Sequence, residues 1–299
     1  MSGSPAPSPW LPTAPCTPGD RCAAHPSDGT EPEGRVPVAR AVLRLAAGIG
    51  TVLFGILLAP AAAPLPADAR HALVRLWVRA VLRAFGVLVR FPKAPARDAG
   101  PLLVVANHVS WLDVPLVAAV LPGRMVAKRE VRGWPVLGTL AALGGTLFID
   151  RNRLRSLPGT VRAMTDVLAG GGRVVVFPEG STWCGRAAGR FRPAAFQAAL
   201  DAGTDVQPVR LDYRPTHAAA YVGDDPLGAS LWRIVTTRRL TADVRLPDPL
   251  PGGRYRDRRA LAAAAQRAVA SDSANLPFSS VHQRASSSPA AASSSLTPS

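Results

Sequence analysis

The segment Asn107-His108-Val109-Ser110-Trp111-Leu112-Asp113 places a histidine five residues ahead of an aspartate, directly after the apolar run Leu102-Leu103-Val104-Val105-Ala106. A short apolar run of that kind reads as a buried strand. A histidine at the strand's end, with an aspartate in the first turn of the next helix, can form a His–Asp pair. The carboxylate holds the imidazole in one tautomer and favours its protonated form, which suits a general base near neutral pH. His108 and Asp113 are therefore the candidate catalytic residues. Downstream, Phe177-Pro178-Glu179-Gly180-Ser181 also follows a strand-like run. There Gly180 permits close backbone approach, Glu179 is expected to project into the site, and a turn of backbone N–H groups is suited to an oxyanion. Arg151, in Gly145-Thr146-Leu147-Phe148-Ile149-Asp150-Arg151, lies just past another such run, and Asp150 beside it is read as a loop anchor. Lys128 is either a second positive charge at the site or a solvated surface lysine.

These residues need a scaffold that brings strand ends together. From residue 100 to about 246, short apolar strands alternate with helical stretches, the pattern of an α/β layered domain. Strands are expected at 102–106, 125–127, 146–149, 173–177 and 206–211. Helices are expected at 158–169, where Pro158 suits the first turn and Gly170-Gly171-Gly172 the end, and at about 193–201 and 256–270. The chain has no evident internal repeat.

Composition sets the outer limits. Residues 1–37 are rich in Pro, Gly and Ser, and 271–299 form a Ser/Ala/Pro tail. Both are expected to be disordered, since neither has enough apolar surface to offset the entropy of ordering. Between them the sequence divides into a membrane-associated segment at 38–92 and a catalytic domain at 93–270. Three scattered cysteines, Cys16, Cys22 and Cys184, form neither a disulfide framework nor a zinc pattern, which fits a reduced, cytoplasmic setting. Cys184 lacks a nearby histidine to activate it as a nucleophile. The other histidines, His25, His71, His217 and His282, are dispersed, so no metal site is expected. The net charge of +15 implies an anionic partner. With aromatics at only 6% and no zinc-finger, RNP or helix-turn-helix pattern, a membrane surface fits better than nucleic acid.

The position of the arginines supports that choice. Residues 45–67 carry no charge, and Arg35, Arg40 and Arg44 precede them while Arg70, Arg75 and Arg79 follow. Pro60, Pro64 and Pro66 are expected to cut the helical part below the ~20 residues that a perpendicular span needs. Positive charge on both flanks fits a re-entrant hairpin with both ends on the cytoplasmic side. A signal peptide is not expected, because the apolar stretch begins far from Met1. Next, His71, Arg75, Arg79 and Arg83 recur every four residues opposite Leu73, Leu76, Trp77, Val81, Leu82 and Phe85. Such a helix lies in the headgroup plane or, alternatively, is an amphipathic core helix with a solvated arginine face.

From Val38 to Leu246 the sequence resembles the glycerolipid acyltransferases typified by 1-acyl-sn-glycerol-3-phosphate acyltransferase. The block NHxSxxD matches Asn107, His108, Ser110 and Asp113. The second block is Gly145 to Arg151, the third Phe177 to Ser181, and the fourth Val206-Gln207-Pro208-Val209. The resemblance implies a mixed sheet flanked by helices, with an N-terminal membrane-associated helical hairpin. It also implies acyl transfer from a thioester, acyl-CoA or acyl carrier protein, to the sn-2 hydroxyl of lysophosphatidic acid, with no cofactor. His108 would be the general base and Asp113 its orienter. Asn107, Ser110, Lys128, Arg151, Glu179, Gly180 and Ser181 would serve the substrate, Arg151 by gripping its phosphate. One departure bears on the acceptor. Phosphate-reading members continue the third block with an arginine, as in FPEGTR, where this chain has Thr182. Members that acylate lyso-ornithine lipid are also neutral there, so another lysolipid is the rival acceptor. Arg186, Arg190 and Arg192 are candidate substitutes. Outside this chemistry stand a thioesterase and a non-catalytic basic protein that binds membranes or nucleic acid; intact His108, Asp113, Glu179 and Arg151 argue against the latter.

Overall fold

A computed structural model describes residues 14, 16, 34–91, 100–150 and 153–271. Arg151 and most of the expected head and tail lie outside the described residues. The chain begins with α1 (Val38–Ala62), α2 (Ala67–Ala84), β1 (Val87–Arg90), β2 (Leu102–Ala106) and α3 (Asp113–Ala118). It continues through β3 (Arg124–Lys128), α4 (Leu137–Leu143), β4 (Leu147–Ile149), α5 (Leu157–Ala169) and β5 (Arg173–Val176). Then come α6 (Ala194–Asp201), β6 (Asp205–Arg214), α7 (Thr216–Ala219), α8 (Leu227–Thr236), β7 (Leu240–Arg245) and α9 (Arg258–Ser271).

Among the described residues, seven strands form one sheet in the order β1-β7-β6-β2-β5-β3-β4. β7 is antiparallel to β6, and the other neighbouring pairs are parallel. This is the mixed sheet with flanking helices that the sequence indicates. β2 lies in the middle and all five of its residues are buried, which explains its unbroken apolar run. Leu102, Val104 and Ala106 face a core shared with α2, α3 and α8, whereas Leu103 and Val105 face one shared with α5, α6 and α9. Because β2, β5, β3 and β4 are parallel, their C-terminal ends share one edge, and the loops bearing the first three sequence blocks all start there.

Two strands escape the sequence pattern. β1 has only four residues and follows α2 directly, and β7 places Thr241 and Asp243 at buried positions, which interrupts its apolar pattern. β6 extends past the expected end at 211 because Arg210–Arg214 pair antiparallel with β7.

The N-terminal helices form the expected hairpin, with one correction. α1 runs through Pro60 to Ala62 and has 25 residues, long and apolar enough to cross a membrane. A proline within the last turn removes a single i→i−4 bond, and the alanines after it still favour helix. Gly48 and Gly55, seven residues apart, lie on one face of α1 and receive the rings of Phe85 and Trp77; a Cβ at either would stand 2.4 or 2.2 Å from its ring. Trp77 Nε1 also donates to Thr51 O at 2.9 Å. Arg44 ties α1 to the domain by donating to Val235 O and Thr237 O at 3.0 and 2.8 Å. Arg79 donates to Ala119 O at the end of α3 and lies over Phe91. The expected basic stripe on α2 is therefore partly engaged with protein. The head boundary also shifts: Arg35 bridges Thr237, and Val36 N donates to Thr236 O, so residues 34–37 belong to the folded unit.

Candidate active site

His108 emerges from the buried end of β2, and Asp113 opens α3, so both sit on one short loop. His108 Nδ1 lies 2.7 Å from Asp113 Oδ2. The same oxygen accepts the N–H groups of Val109 and Ser110 at 2.7 and 2.8 Å, and Asp113 Oδ1 accepts the hydroxyl of Tyr213 at 2.5 Å. Asp113 is completely buried, and four donors converge on its two oxygens. With the carboxylate as acceptor, Nδ1 carries the proton and Nε2 is left as the basic nitrogen. The imidazole stacks on Phe177 at 4.2 Å and 17°, which covers one face and fixes its plane. Its side chain keeps 19% exposure, enough for a substrate group to reach it.

Every side of this loop is held. Asn107 Nδ2 donates to Leu211 O, and Leu211 N donates to Asn107 Oδ1, both at 2.8 Å. Trp183 N donates to His108 O at 2.8 Å, and Tyr221 N donates to Val109 O at 3.0 Å. Trp111 Nε1 donates to Ser230 Oγ, and the Trp111 ring meets Phe85 edge to face at 6.2 Å, which joins the loop to the helical hairpin. An imidazole held this way needs little reorganisation to act as a base.

Asn107 and Ser110, expected to serve the substrate, both make structural hydrogen bonds. The Asn107 amide continues the β2–β6 ladder past the end of β2. Ser110 is fully buried, and its Oγ accepts from Leu112 N at 3.3 Å in the turn entering α3. Glu179 likewise does not project into open space. It is 4% exposed, and its carboxyl accepts from Gly189 N at 3.2 Å and from the backbone N–H of His108. Its Oε1 has no hydrogen-bond partner among the described residues. Gly180 adopts φ +77°, a conformation that favours glycine, but its N–H donates to Phe177 O and is not available to an oxyanion. Ser181 and Thr182 are half-buried on the same turn. Lys128 ends β3, two strands from β2 and so about 10 Å along the edge. Its Nζ lies 5.4 Å from the Trp134 ring. The phosphate-gripping role expected of Arg151 falls on a residue outside the described ones. Tyr213 is the participant that sequence reasoning missed: an aromatic near the end of β6, a strand of alternating polar and apolar residues, one hundred residues from Asp113.

Burial drives the Glu179 carboxyl well above its ordinary value of 4.5, Asp113 adds to the rise, and the N–H groups of Gly189 and His108 oppose it. A carboxyl raised on folding contributes stability that is fully present below the unfolded value and lost as pH climbs from there through the folded one. Glu179→Gln keeps the shape and removes the charge. Its thermal midpoint is expected to gain on the parent's steadily as pH rises from 4.5 toward neutrality. Parallel melting curves across that range would show that Glu179 is not held neutral.

Two clefts flank the loop's edge of the sheet. One of about 290 Å³ is lined by Arg129, Arg132, Phe148, Asp150, Ser156 and Thr160, at the ends of β3 and β4. The other, also about 290 Å³, is more apolar and is lined by Trp134, Leu137, Tyr221, Pro226 and Leu227 among others.

A family model described as "Acyltransferase" matches residues 89–212. The chain is 38% identical over 204 residues to a lyso-ornithine lipid O-acyltransferase of Pseudomonas aeruginosa, covering 67% of this chain and 78% of that one. It is 35% identical over 223 residues to a 1-acyl-sn-glycerol-3-phosphate acyltransferase of Neisseria meningitidis, covering 71% and 85%. Its fold is similar to the crystal structure of the 1-acyl-sn-glycerophosphate (LPA) acyltransferase PlsC from Thermotoga maritima. There the TM-score is 0.59 with 19% identity, over 79% of this chain and 95% of that one.

Proposed function

The chain belongs to the lysophospholipid acyltransferase family, and from that premise we propose that it esterifies the sn-2 hydroxyl of lysophosphatidic acid, with acyl-CoA or acyl carrier protein as donor, by His108–Asp113 general-base catalysis. The observation that carries the chemistry is the His108 Nδ1–Asp113 Oδ2 contact at 2.7 Å, which leaves Nε2 as the base. Nε2 takes the proton of the acceptor hydroxyl as its oxygen attacks the thioester carbonyl carbon. The tetrahedral intermediate collapses, the carbon–sulfur bond breaks, and the imidazolium returns the proton to the thiolate. Products are an ester and a free thiol. Asp113 stabilises the imidazolium in between. The step draws on the two substrates and the chain's own residues, with no cofactor or metal.

The Arg129–Arg132 cleft supports an anionic headgroup at the far end of the same edge, with Lys128 between it and His108. Arg151, which follows Asp150 of that cleft in sequence, is proposed to grip the phosphate. The apolar cleft by Tyr221 supports a neighbouring acyl chain, since Tyr221 N is bonded to the residue after His108. Neutral Thr182 favours a second reading, in which the acceptor is another lysolipid such as lyso-ornithine lipid. The exposed α1–α2 hairpin is proposed to hold the enzyme on the cytoplasmic face of the membrane.

The test is acyl transfer from oleoyl-CoA, and from acyl carrier protein, to lysophosphatidic acid, lyso-ornithine lipid, lysophosphatidylglycerol or no acceptor, with His108→Ala as control. Strong turnover of lysophosphatidic acid supports the first reading. Turnover of lyso-ornithine lipid alone assigns the changed pocket to Thr182. Acyl release without acceptor would make the enzyme a thioesterase, and no histidine-dependent transfer at all would overturn both readings.

A further inference from the structure

We propose that Tyr213 is a positioning residue of the reaction, a third member of a Tyr213–Asp113–His108 relay that sets how basic His108 is. The proposal rests on the acyl-transfer reading for its kinetic consequences and on geometry for the rest.

Asp113 has two oxygens with different duties. Oδ2 faces His108 and the backbone of the loop, whereas Oδ1 receives the Tyr213 hydroxyl at 2.5 Å. Tyr213 is 3% exposed and belongs to the core between the sheet and α2, α3 and α8, so it does not reach a substrate. A phenol buried there without an acceptor would be costly, and Asp113 is the acceptor it finds. Burial foremost, with the charge and the hydrogen bond of Asp113 behind it, pushes the phenol well above its ordinary value, so it stays a donor over the whole working range.

The strand that carries Tyr213 is registered against the catalytic loop by a separate device. Ala106 of β2 pairs with Val209 of β6, and the Asn107 amide then clasps both backbone groups of Leu211. Leu211 and Tyr213 are two residues apart and so share a face. The clasp thus places the Tyr213 hydroxyl under α3, where Asp113 begins. Asn107 serves the site through this register.

Two consequences follow for His108. Donation from Tyr213 draws negative charge from Asp113, which weakens its hold on Nδ1–H. It also prevents the carboxyl from rotating away from His108. Among the described residues, the charged and titratable groups packed around the pair are few. Glu179, on the loop after β5, interacts with Asp113 and accepts from the His108 N–H. On α2, Arg79 is engaged with Ala119 O, and on α8, Arg233 is engaged with Asp225, Ala218 O and Ala220 O. Among the described residues, Tyr213 on β6 is the one that bonds Asp113 directly by a side chain other than His108.

Tyr213→Phe, in the full chain in detergent, tests this. The kcat is expected to fall about 10- to 100-fold, the scale that misplacement of a catalytic group costs, with KM for acyl-CoA unchanged. The acid limb of the pH–rate profile and the titration midpoint of His108, followed by NMR of histidine-labelled protein, are both expected to move to higher pH. Fluorotyrosine at position 213 keeps the hydroxyl, and so the packing, while making it a stronger donor, and should move both to lower pH. An unmoved acid limb and midpoint in both variants would overturn the relay even if kcat fell, because a purely structural residue would slow the enzyme without shifting its titration. Failure of the parent to transfer acyl groups would instead strike the acyl-transfer reading, and the NMR midpoints of the resting protein would still decide for or against Tyr213.

Discussion

Alanine in place of His108 is expected to lower acyl transfer by about 10²–10⁴-fold, the span that a positioned general base contributes, while the protein melts close to the parent temperature. The imidazole lies at the rim of the fold with 19% exposure, and its removal leaves Asp113 with three of its four donors. No buried charge is stranded. Asp113→Asn should behave differently. It abolishes the charge that stabilises the imidazolium, so activity falls on a similar scale. It also sets an amide among four donors at a fully buried position, and each donor left unpaired costs about 1–3 kcal/mol. The two variants together separate chemistry from architecture when kcat/KM and the thermal midpoint are measured on both. Transfer by His108→Ala within threefold of the parent would remove His108 from the reaction. An Asp113→Asn protein that melts like the parent would contradict the convergence of donors on that carboxylate.

The part of the site that lies on one local segment was legible in the sequence. His108 and Asp113 are five residues apart and follow the apolar run of β2, so strand, turn and pair could be read together. The part assembled from distant segments was not. Tyr213 arrives through the β2–β6 register, and an aromatic at an inward position of an alternating strand looks like any core residue until its hydroxyl has a partner. Asn107, Ser110 and Glu179 show a different limit. Their types suit substrate binding, but the same types also satisfy backbone groups, and the sequence does not show which backbone groups they meet. In the fold, the alternation of β2, β3, β4 and β5 with helices was readable, whereas β7 hides Thr241 and Asp243 among apolar neighbours. In the hairpin, Gly48 and Gly55 carried a signal that sequence reasoning passed over. Small residues seven apart on an apolar helix mark a face on which rings can lie, and a proline in the last turn, as at Pro60, does not end a helix.

That hairpin supports the second large effect: Phe54→Ser, Leu57→Ser and Leu58→Ser combined are expected to weaken partition of the protein into lipid vesicles by about 10²–10⁴-fold. The three side chains are 58%, 76% and 44% exposed, and only 11% of the most apolar stretch of α1 is buried by protein. Full burial of such a side chain is worth about 1.5–3 kcal/mol, and about half of each remains to be gained from lipid. None of the three makes the contacts that hold the helices together, which run through Gly48, Gly55, Trp77 and Phe85. The fold should therefore survive, and with it the bond of Trp111 to Ser230 that steadies the catalytic loop. Binding that remains should depend on anionic lipid and fade with salt, because Arg70 and Arg83 are exposed beside the apolar face and each basic residue near such a surface adds about 1 kcal/mol. A water-soluble short-chain thioester should still be turned over, since the His108–Asp113 pair is untouched. Unchanged flotation of the triple variant with neutral vesicles would mean that the exposed face of α1 contacts something other than lipid, and the membrane surface would then have to be sought elsewhere on the chain.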